Sequence, residues 1–324
     1  LAGYFSALSL ITGINYLYYA RAAMIDVTTT FFITLSIYLF LIARDKKKEL
    51  FYLLTGLVVG FGVMAKGAVG FMPFFIMGGY DLYLLVFKIN KDWKELFKSY
   101  LYLIFGSFVV ALPWHLVMYV RYGQDFIDNY FLYHVLSRAT QGIEEKGQPF
   151  FWYLMVMKVS MRVWVFALIG SIPIFTIRMF LKDKIYAVFA IWIFIVFILF
   201  SSASSKVIWY IIPLYPAAAI MVGVFISELY QALSVRYKRM QNQNIQFLIL
   251  FLVTMSYLMY LFFIREKVYT SDLTGAEAEL MQLKDSKLGT NSMFYIDRVP
   301  LPLVLYYTDS PYKIIDFDPS RGRY

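Results

Sequence analysis

Few residues in this chain can do ionic or acid–base chemistry, and they recur at breaks between apolar runs. Arg21 and Asp26 flank the abrupt turn Arg-Ala-Ala-Met-Ile-Asp. A carboxylate that close to hydrocarbon costs a few kcal/mol unless paired or hydrated, so it is either a functional group or half of an ion pair that fixes the turn. Lys66 stands in Ala-Lys-Gly, between two apolar runs with almost no loop. Its ammonium either snorkels to lipid headgroups or points into a polar space between helices. His134 and Arg138 are four residues apart and would share one helix face. Arg138 offers a fork of donors matched to phosphate oxygens, and His134 can donate a hydrogen bond or shuttle a proton; anchoring to headgroups is the plainer alternative. Lys206 and Tyr210 open a run interrupted by Pro213 and Pro216, which would loosen its first turns and free backbone groups beside them. Trp209 and Tyr215 in the same stretch suit an interfacial aromatic belt.

The elements that must hold these groups are membrane spans. Of the 324 residues, 60% are hydrophobic and 16% charged; mean hydropathy is +0.63, far from the balance of a soluble chain. With no cysteine and two histidines, disulfides, thiol chemistry and a Cys- or His-based metal site fall away. The net charge of +9 is dispersed in short runs, which argues against a nucleic-acid surface. Apolar runs of spanning length lie near 1–19, 27–43, 50–65, 67–87, 99–113, 162–181, 185–202, 207–229 and 246–264, about nine spans. Basic clusters follow the second, fourth, sixth and eighth: Arg44 to Lys48, Lys88 to Lys98, Arg178 to Lys184, and Arg236 to Arg239. By the positive-inside rule these links are cytoplasmic. Arg21, Asp26, Lys66, Lys206 and the whole of 113–161 are then external. Asp81, the one acid well inside a span, is expected to pair with a nearby lysine.

The expected fold is an all-α polytopic bundle over 1–264. Its 114–161 segment is an external loop carrying an interfacial helix over 125–136 and a polar, Gly-flanked loop at 141–148. From 265 to 324 the composition becomes soluble, with helices near 275–285 and 301–307 and strands near 292–297 and 312–316, a small external α/β cap. The chain starts inside an apolar run without Met, which reads as part of a longer protein lacking its N-terminal portion. Cations at 21, 66, 138 and 206 on one membrane face beside apolar walls suit a lipid phosphate, whose charge needs cations and whose tail needs hydrocarbon. If that phosphate is a leaving group, the same cations stabilise the charge growing on it.

Five segments in order then resemble the GT-C type of membrane-embedded glycosyltransferase, nearest the bacterial aminoarabinose transferase and protein O-mannosyltransferase superfamily. They are the Ala-Arg-x-x-Met-x-Asp turn at 20–26, Lys66-Gly67, Pro113-Trp114, the Arg-Tyr-Gly to Arg segment at 121–138, and Ser205-Lys206 through Tyr210, Pro213 and Pro216. The resemblance implies transfer of a sugar from a polyprenyl-phosphate carrier to a lipid, glycan or protein acceptor at the external face of the cell membrane, with inversion and without a required cofactor or metal. It puts Asp26 near the active cavity and Arg138 and Lys206 at the carrier phosphate, with Lys66, His134, Tyr210 and Arg21 as further phosphate contacts. Trp114, Tyr130 and Tyr133 would touch sugar or lipid. The family's acidic motif would lie upstream of Leu1, so the main base is expected there and the 324-residue chain alone is expected to be inactive. Where the family often has Pro-Trp, this chain has Arg162-Val163-Trp164. A flippase or transporter of lipid-linked sugars, or a non-catalytic scaffold, are the competing functions. A transporter would be expected to show internal repeats and polar groups at mid-membrane, and neither is visible.

Overall fold

The computed structural model describes residues 1–89, 92–130, 132, 147–237 and 242–269, the last with side chains to 263. The chain divides into two compact units, 1–261 and 262–324. All but the first residues of the second lie outside the described range, as does the α/β cap expected over 265–324 from residue 270 onward.

The described residues of the first unit form helices and connecting turns, with no strand among them. In order these are α1 (Ala2–Ile11), α2 (Ile14–Arg21), α3 (Ile25–Lys46), α4 (Glu49–Lys66), a 3-10 turn (Gly67–Phe71), α5 (Met72–Val86) and α6 (Trp93–Tyr122). After a single turn at Gln124–Phe126 come α7 (Trp152–Met161), α8 (Trp164–Phe180), α9 (Lys184–Ser202), a second 3-10 segment (Ile208–Leu214), α10 (Tyr215–Arg236) and α11 (Gln243–Tyr269). Among the described residues, six stretches are long and apolar enough to cross a bilayer, seven if the bent pair α7–α8 is one span. The protein is a multi-pass membrane protein built as an all-α bundle.

One of those six stretches, Glu49–Val86, is a hairpin of two spans. Phe40 of α3 touches Tyr52 near the start of α4 (ring centroids 6.5 Å) and Tyr80 near the end of α5 (6.1 Å). A straight helix would separate residues 52 and 80 by about 42 Å. The reversal is made at Gly67–Phe71. There Gly70 lies so close to the backbone of Gly62 and Val63 that a Cβ would collide with it, so the turn folds back against α4. This agrees with the expected break at Lys66-Gly67.

Two expectations need correction. The first span, placed at 1–19, is two short helices separated at Thr12-Gly13, and neither reaches the roughly 20 residues that cross a bilayer. Pro113 does not end the fifth span. Helix α6 runs through it for 30 residues, about 45 Å, so the link begins at Gly123. Proline inside a helix removes one donor and commonly kinks rather than terminates the rod. Within the segment expected to carry interfacial helices, 152–161 forms α7, which buries Tyr153, Val156, Met157, Ser160 and Met161.

Helices α7 and α8 meet at a bend of 120°. Arg162 sits there at φ 48°, a backbone state that costs a residue with a Cβ about 1–3 kcal/mol and persists only where surroundings enforce it. Those surroundings are aromatic. The Arg162 guanidinium lies 5.2 Å from the Tyr260 ring centroid. Trp164 stacks on Tyr257 at 4.8 Å and donates its indole N–H to Thr12 Oγ1 at 2.8 Å. The loosened start of the span at 207–229 appears as expected: residues 208–214 wind as a 3-10 segment before Pro216 opens α10.

Candidate functional site

At the end of the bundle where α3 begins and α4 ends, Asp26 and Lys66 form an ion pair. Asp26 is in the first turn of α3, where a carboxylate also suits the positive end of the helix dipole. Lys66 is the last residue of α4. The pair spans 40 positions of sequence. Asp26 was read against its neighbour Arg21; its carboxylate in fact meets Lys66. Arg21 closes α2 and is exposed. The Asp26 side chain is 7% exposed and that of Lys66 24%, so the ammonium reaches the edge of the packed region while the carboxylate stays within.

Tyr210 completes the lysine's setting. The Lys66 ammonium stands 5.0 Å from its ring centroid, a cation–π contact. Around Tyr210 lie Phe200 (5.9 Å) and Trp209, and Trp209 meets Tyr19 edge-on at 5.8 Å. Trp209 is therefore packed against α2 beside the ion pair, and Tyr19 is a neighbour that sequence patterning passed over; its place in a Tyr-rich turn five residues before Met24 gave no chemical signal.

Lys206 is buried at 6% exposure. Its ammonium donates to the Ala203 carbonyl at 2.7 Å and the Gln148 carbonyl at 3.1 Å. Two of its three donors thus tie residue 148 to the turn before the 3-10 segment, and Tyr153 donates to the Val207 carbonyl at 3.1 Å from the other side. This lysine has a structural duty that its position in the sequence did not reveal.

The third part of the site comes from α6 and the turn after it. Gly67 has φ 48° and ψ −129°, a conformation open to glycine and to few other residues. A Cβ on Gly67 would come within 3.0 Å of the Tyr130 hydroxyl, so Tyr130 rests on the bare face of the residue next to Lys66. Residues 127–130 wind as a π-type turn, a local form that re-aims side chains. Tyr130 stacks on Phe126 at 5.1 Å and meets Trp114 at 6.0 Å. Its hydroxyl is 3.3 Å from His115 Nε2, and His115 Nδ1 is 2.7 Å from the Ala111 carbonyl. Partial burial raises the Tyr130 phenol above its usual pKa and keeps it protonated through the neutral range.

The structure thus brings Asp26, Lys66, Tyr210, Tyr130 and Trp114 to one end of the bundle, linked through Gly67. Tyr133, His134 and Arg138 lie outside the described residues. His115 was missed as a site residue, although the Pro-Trp-His sequence at 113–115 held a titratable ring beside a motif already singled out.

Residues 1–124 match the family model described as dolichyl-phosphate-mannose-protein mannosyltransferase. An uncharacterized protein of Aquifex aeolicus is 28% identical over 248 residues, 74% of this chain and 45% of that protein. The undecaprenyl phosphate-alpha-4-amino-4-deoxy-L-arabinose arabinosyl transferase of Pseudomonas paraeruginosa is 25% identical over 260 residues, 77% of this chain and 44% of the transferase. The chain therefore spans under half the length of these curated relatives. Among solved structures, ArnT from Cupriavidus metallidurans bound to undecaprenyl phosphate superposes with a TM-score of 0.66 at 17% identity, over 97% of this chain and 66% of that one. That likeness is one of fold.

Proposed function

We propose that this chain, which belongs with the GT-C-type membrane glycosyltransferases, carries part of the machinery that moves a sugar from a polyprenyl-phosphate carrier to an acceptor. The observation that carries this reading is the Lys66 ammonium. It is held by Asp26, faced by the Tyr210 ring and partly open at one end of an apolar bundle, and the next residue, Gly67, lies against Tyr130. A lipid phosphate needs a cation at the rim and hydrocarbon beside it, and this end of the molecule offers both. The sugars and carriers in the relatives' names, aminoarabinose on undecaprenyl phosphate and mannose on dolichyl phosphate, define the chemical class of donor.

In the reaction, an acceptor oxygen attacks the anomeric carbon as the bond from that carbon to the phosphate oxygen breaks. The electron pair leaves with the polyprenyl phosphate, and the acceptor's proton passes to a base. Attack from the face opposite the departing phosphate inverts the centre. Lys66 neutralises the charge that grows on the leaving oxygen, an electrostatic role whose removal typically costs 10²–10³ in rate. Asp26 fixes the ammonium in place. Arg138, with His134 and Arg21, supplies further charge to the phosphate, and the third donor of Lys206 remains for the same purpose. Trp114, Tyr130 and Tyr133 contact sugar or lipid. The positive-inside pattern of the basic links supports an external position for this end.

The test is transfer from a labelled polyprenyl-phosphate sugar by the purified full-length protein in lipid, compared with its Lys66→Ala variant. A loss of at least about a hundredfold on substitution is expected. Equal turnover by the variant, or release of no sugar to lipid, glycan or protein acceptors, would overturn the reading.

A further inference from the structure

We propose that His115 is a positioning residue for this transfer: it orients the Tyr130 hydroxyl against the Lys66–Gly67 turn. The inference rests on the transferase reading for its kinetic part and on geometry alone for the rest.

The proton positions follow from the partners. A carbonyl oxygen only accepts, so the 2.7 Å contact to Ala111 requires a proton on His115 Nδ1. In the neutral ring Nε2 is then an acceptor, and across 3.3 Å the Tyr130 O–H must donate to it. The imidazole is boxed by Trp114 at 4.9 Å, Tyr130 at 5.3 Å and Phe126 at 6.2 Å, which hinders the ring flip that would exchange the two nitrogens. The hydroxyl so fixed is the atom that a Cβ on Gly67 would meet at 3.0 Å. The next residue back is Lys66, whose ammonium is shared between Asp26 and the face of Tyr210. His115 thus reaches the cation through two contacts, His115 to Tyr130 and Tyr130 to Gly67. The intervening residue is Gly67 at φ 48°, a backbone state that few residues other than glycine adopt. The same chain of contacts ties α6, which carries His115, to the end of α4, so the turn after α6 is registered on the site rather than merely connected to it.

Two measurements test this. The chain has two histidines, so protein labelled with ¹⁵N-histidine in lipid nanodiscs gives two sets of ring signals, and His115→Gln identifies which belongs to His115. The expected state is the rarer Nδ1–H tautomer, with the Nε2 signal shifting when Tyr130→Phe removes its donor. An Nε2–H tautomer, or an Nε2 signal unmoved by Tyr130→Phe, overturns the proposal. This arm needs no activity and keeps His115 in the protein. The second arm is kinetic. His115→Ala and Tyr130→Phe should each lower kcat about tenfold with KM changed less than about twofold, and the double variant should lose about tenfold in total, not a hundredfold, as expected for residues acting through one contact. Losses that multiply to about a hundredfold would overturn it. A full-length wild-type protein that transfers no sugar while His115 shows the Nδ1–H tautomer would instead sink the transferase reading.

Discussion

Helix α3 is held at both ends by ion pairs built on the same chemistry, and they are not alike. At its C-terminal end Arg44 meets Asp81 of α5 at 2.7 Å, with side chains only 10% and 6% exposed. Tyr100 of α6 donates to the same carboxylate oxygen at 3.0 Å. The guanidinium lies 4.9 Å from the Phe40 ring centroid and 5.5 Å from that of Tyr52. Arginine, carboxylate, phenol and rings close on one another from α3, α4, α5 and α6. At the N-terminal end the Asp26–Lys66 pair has a flexible lysine in place of arginine, with 24% of its side chain exposed and glycine beside it. A closed pair made of a rigid, permanently charged fork fixes helix positions. A half-open pair made of a point charge can exchange part of its partnership for an anion. Burial and the choice of cation, not the presence of an ion pair, separate the structural end from the end proposed to bind the carrier phosphate.

The largest effect should come from breaking the closed pair. Asp81→Ala leaves the Arg44 guanidinium without its carboxylate in a region that water does not reach, a change that typically costs 3–5 kcal/mol. Thermal unfolding in detergent should show a drop of many degrees, or the yield of monodisperse protein should collapse. If Asp81→Ala melts like the parent protein, the pair is not the fastener described. Lys66→Ala should reverse this pattern, with at least about a hundredfold loss of transfer and a melting temperature that falls less than that of Asp81→Ala. A Lys66→Ala protein that loses fold and activity together would erase the distinction between the two ends.

A finer test uses two glycines with nearly the same backbone. Gly67 (φ 48°, ψ −129°) and Gly123 (φ 54°, ψ −128°) both follow a helix, at the ends of α4 and α6. Alanine at either should cost about 1–3 kcal/mol of strain, read as similar shifts in melting temperature. Around Gly123 there is open space, whereas a methyl on Gly67 meets Tyr130. Only Gly67→Ala should also reduce transfer. Equal losses of activity in both would mean that the contact with Tyr130 carries no function.

The two ends also differ in how far they could be read from sequence. Most of the spans were legible, because apolar runs of bilayer length stand out from the polar links between them. The hairpin at Lys66-Gly67 was legible because a cation and a glycine interrupt hydrocarbon. The pairing was not. Asp26 was weighed against Arg21, five residues away, and Asp81 against nearby lysines. Yet each carboxylate found a cation roughly 40 positions distant, Lys66 and Arg44. Local spacing cannot rank partners that are brought together by helix packing. The same limit hid α7. Its aromatic residues, flanked by glutamine and glycine, look like an interfacial loop until the 120° bend at Arg162 turns them into the bundle. Proline at 113 gave a stop signal that packing overrode, since a long helix held by neighbours tolerates one missing donor. His115 fell into the shadow of that misplaced boundary: placed in a loop it was one polar residue among several, while on α6 it faces the turn it helps to order.

The smallest effect should come from a third ion pair, and it bounds the comparison from below. Glu49 and Lys98 join the starts of α4 and α6 near the closed Arg44–Asp81 cluster, and Tyr102 donates to Glu49 at 2.8 Å. Their contact looks as tight as the other two, but the side chains are 51% and 58% exposed. Water and salt screen such a pair, and holding two long side chains in register offsets what remains of the attraction. Lys98→Ala should therefore leave the melting temperature within measurement scatter and leave transfer unchanged, at low and at high ionic strength alike. Three contacts of the same type would then rank by burial: one that unfolds the protein when broken, one that silences it, and one that does neither. A marked destabilisation by Lys98→Ala that disappears in high salt would instead show that this end of the bundle works as one extended charge network, and that the closed pair owes part of its strength to the exposed one.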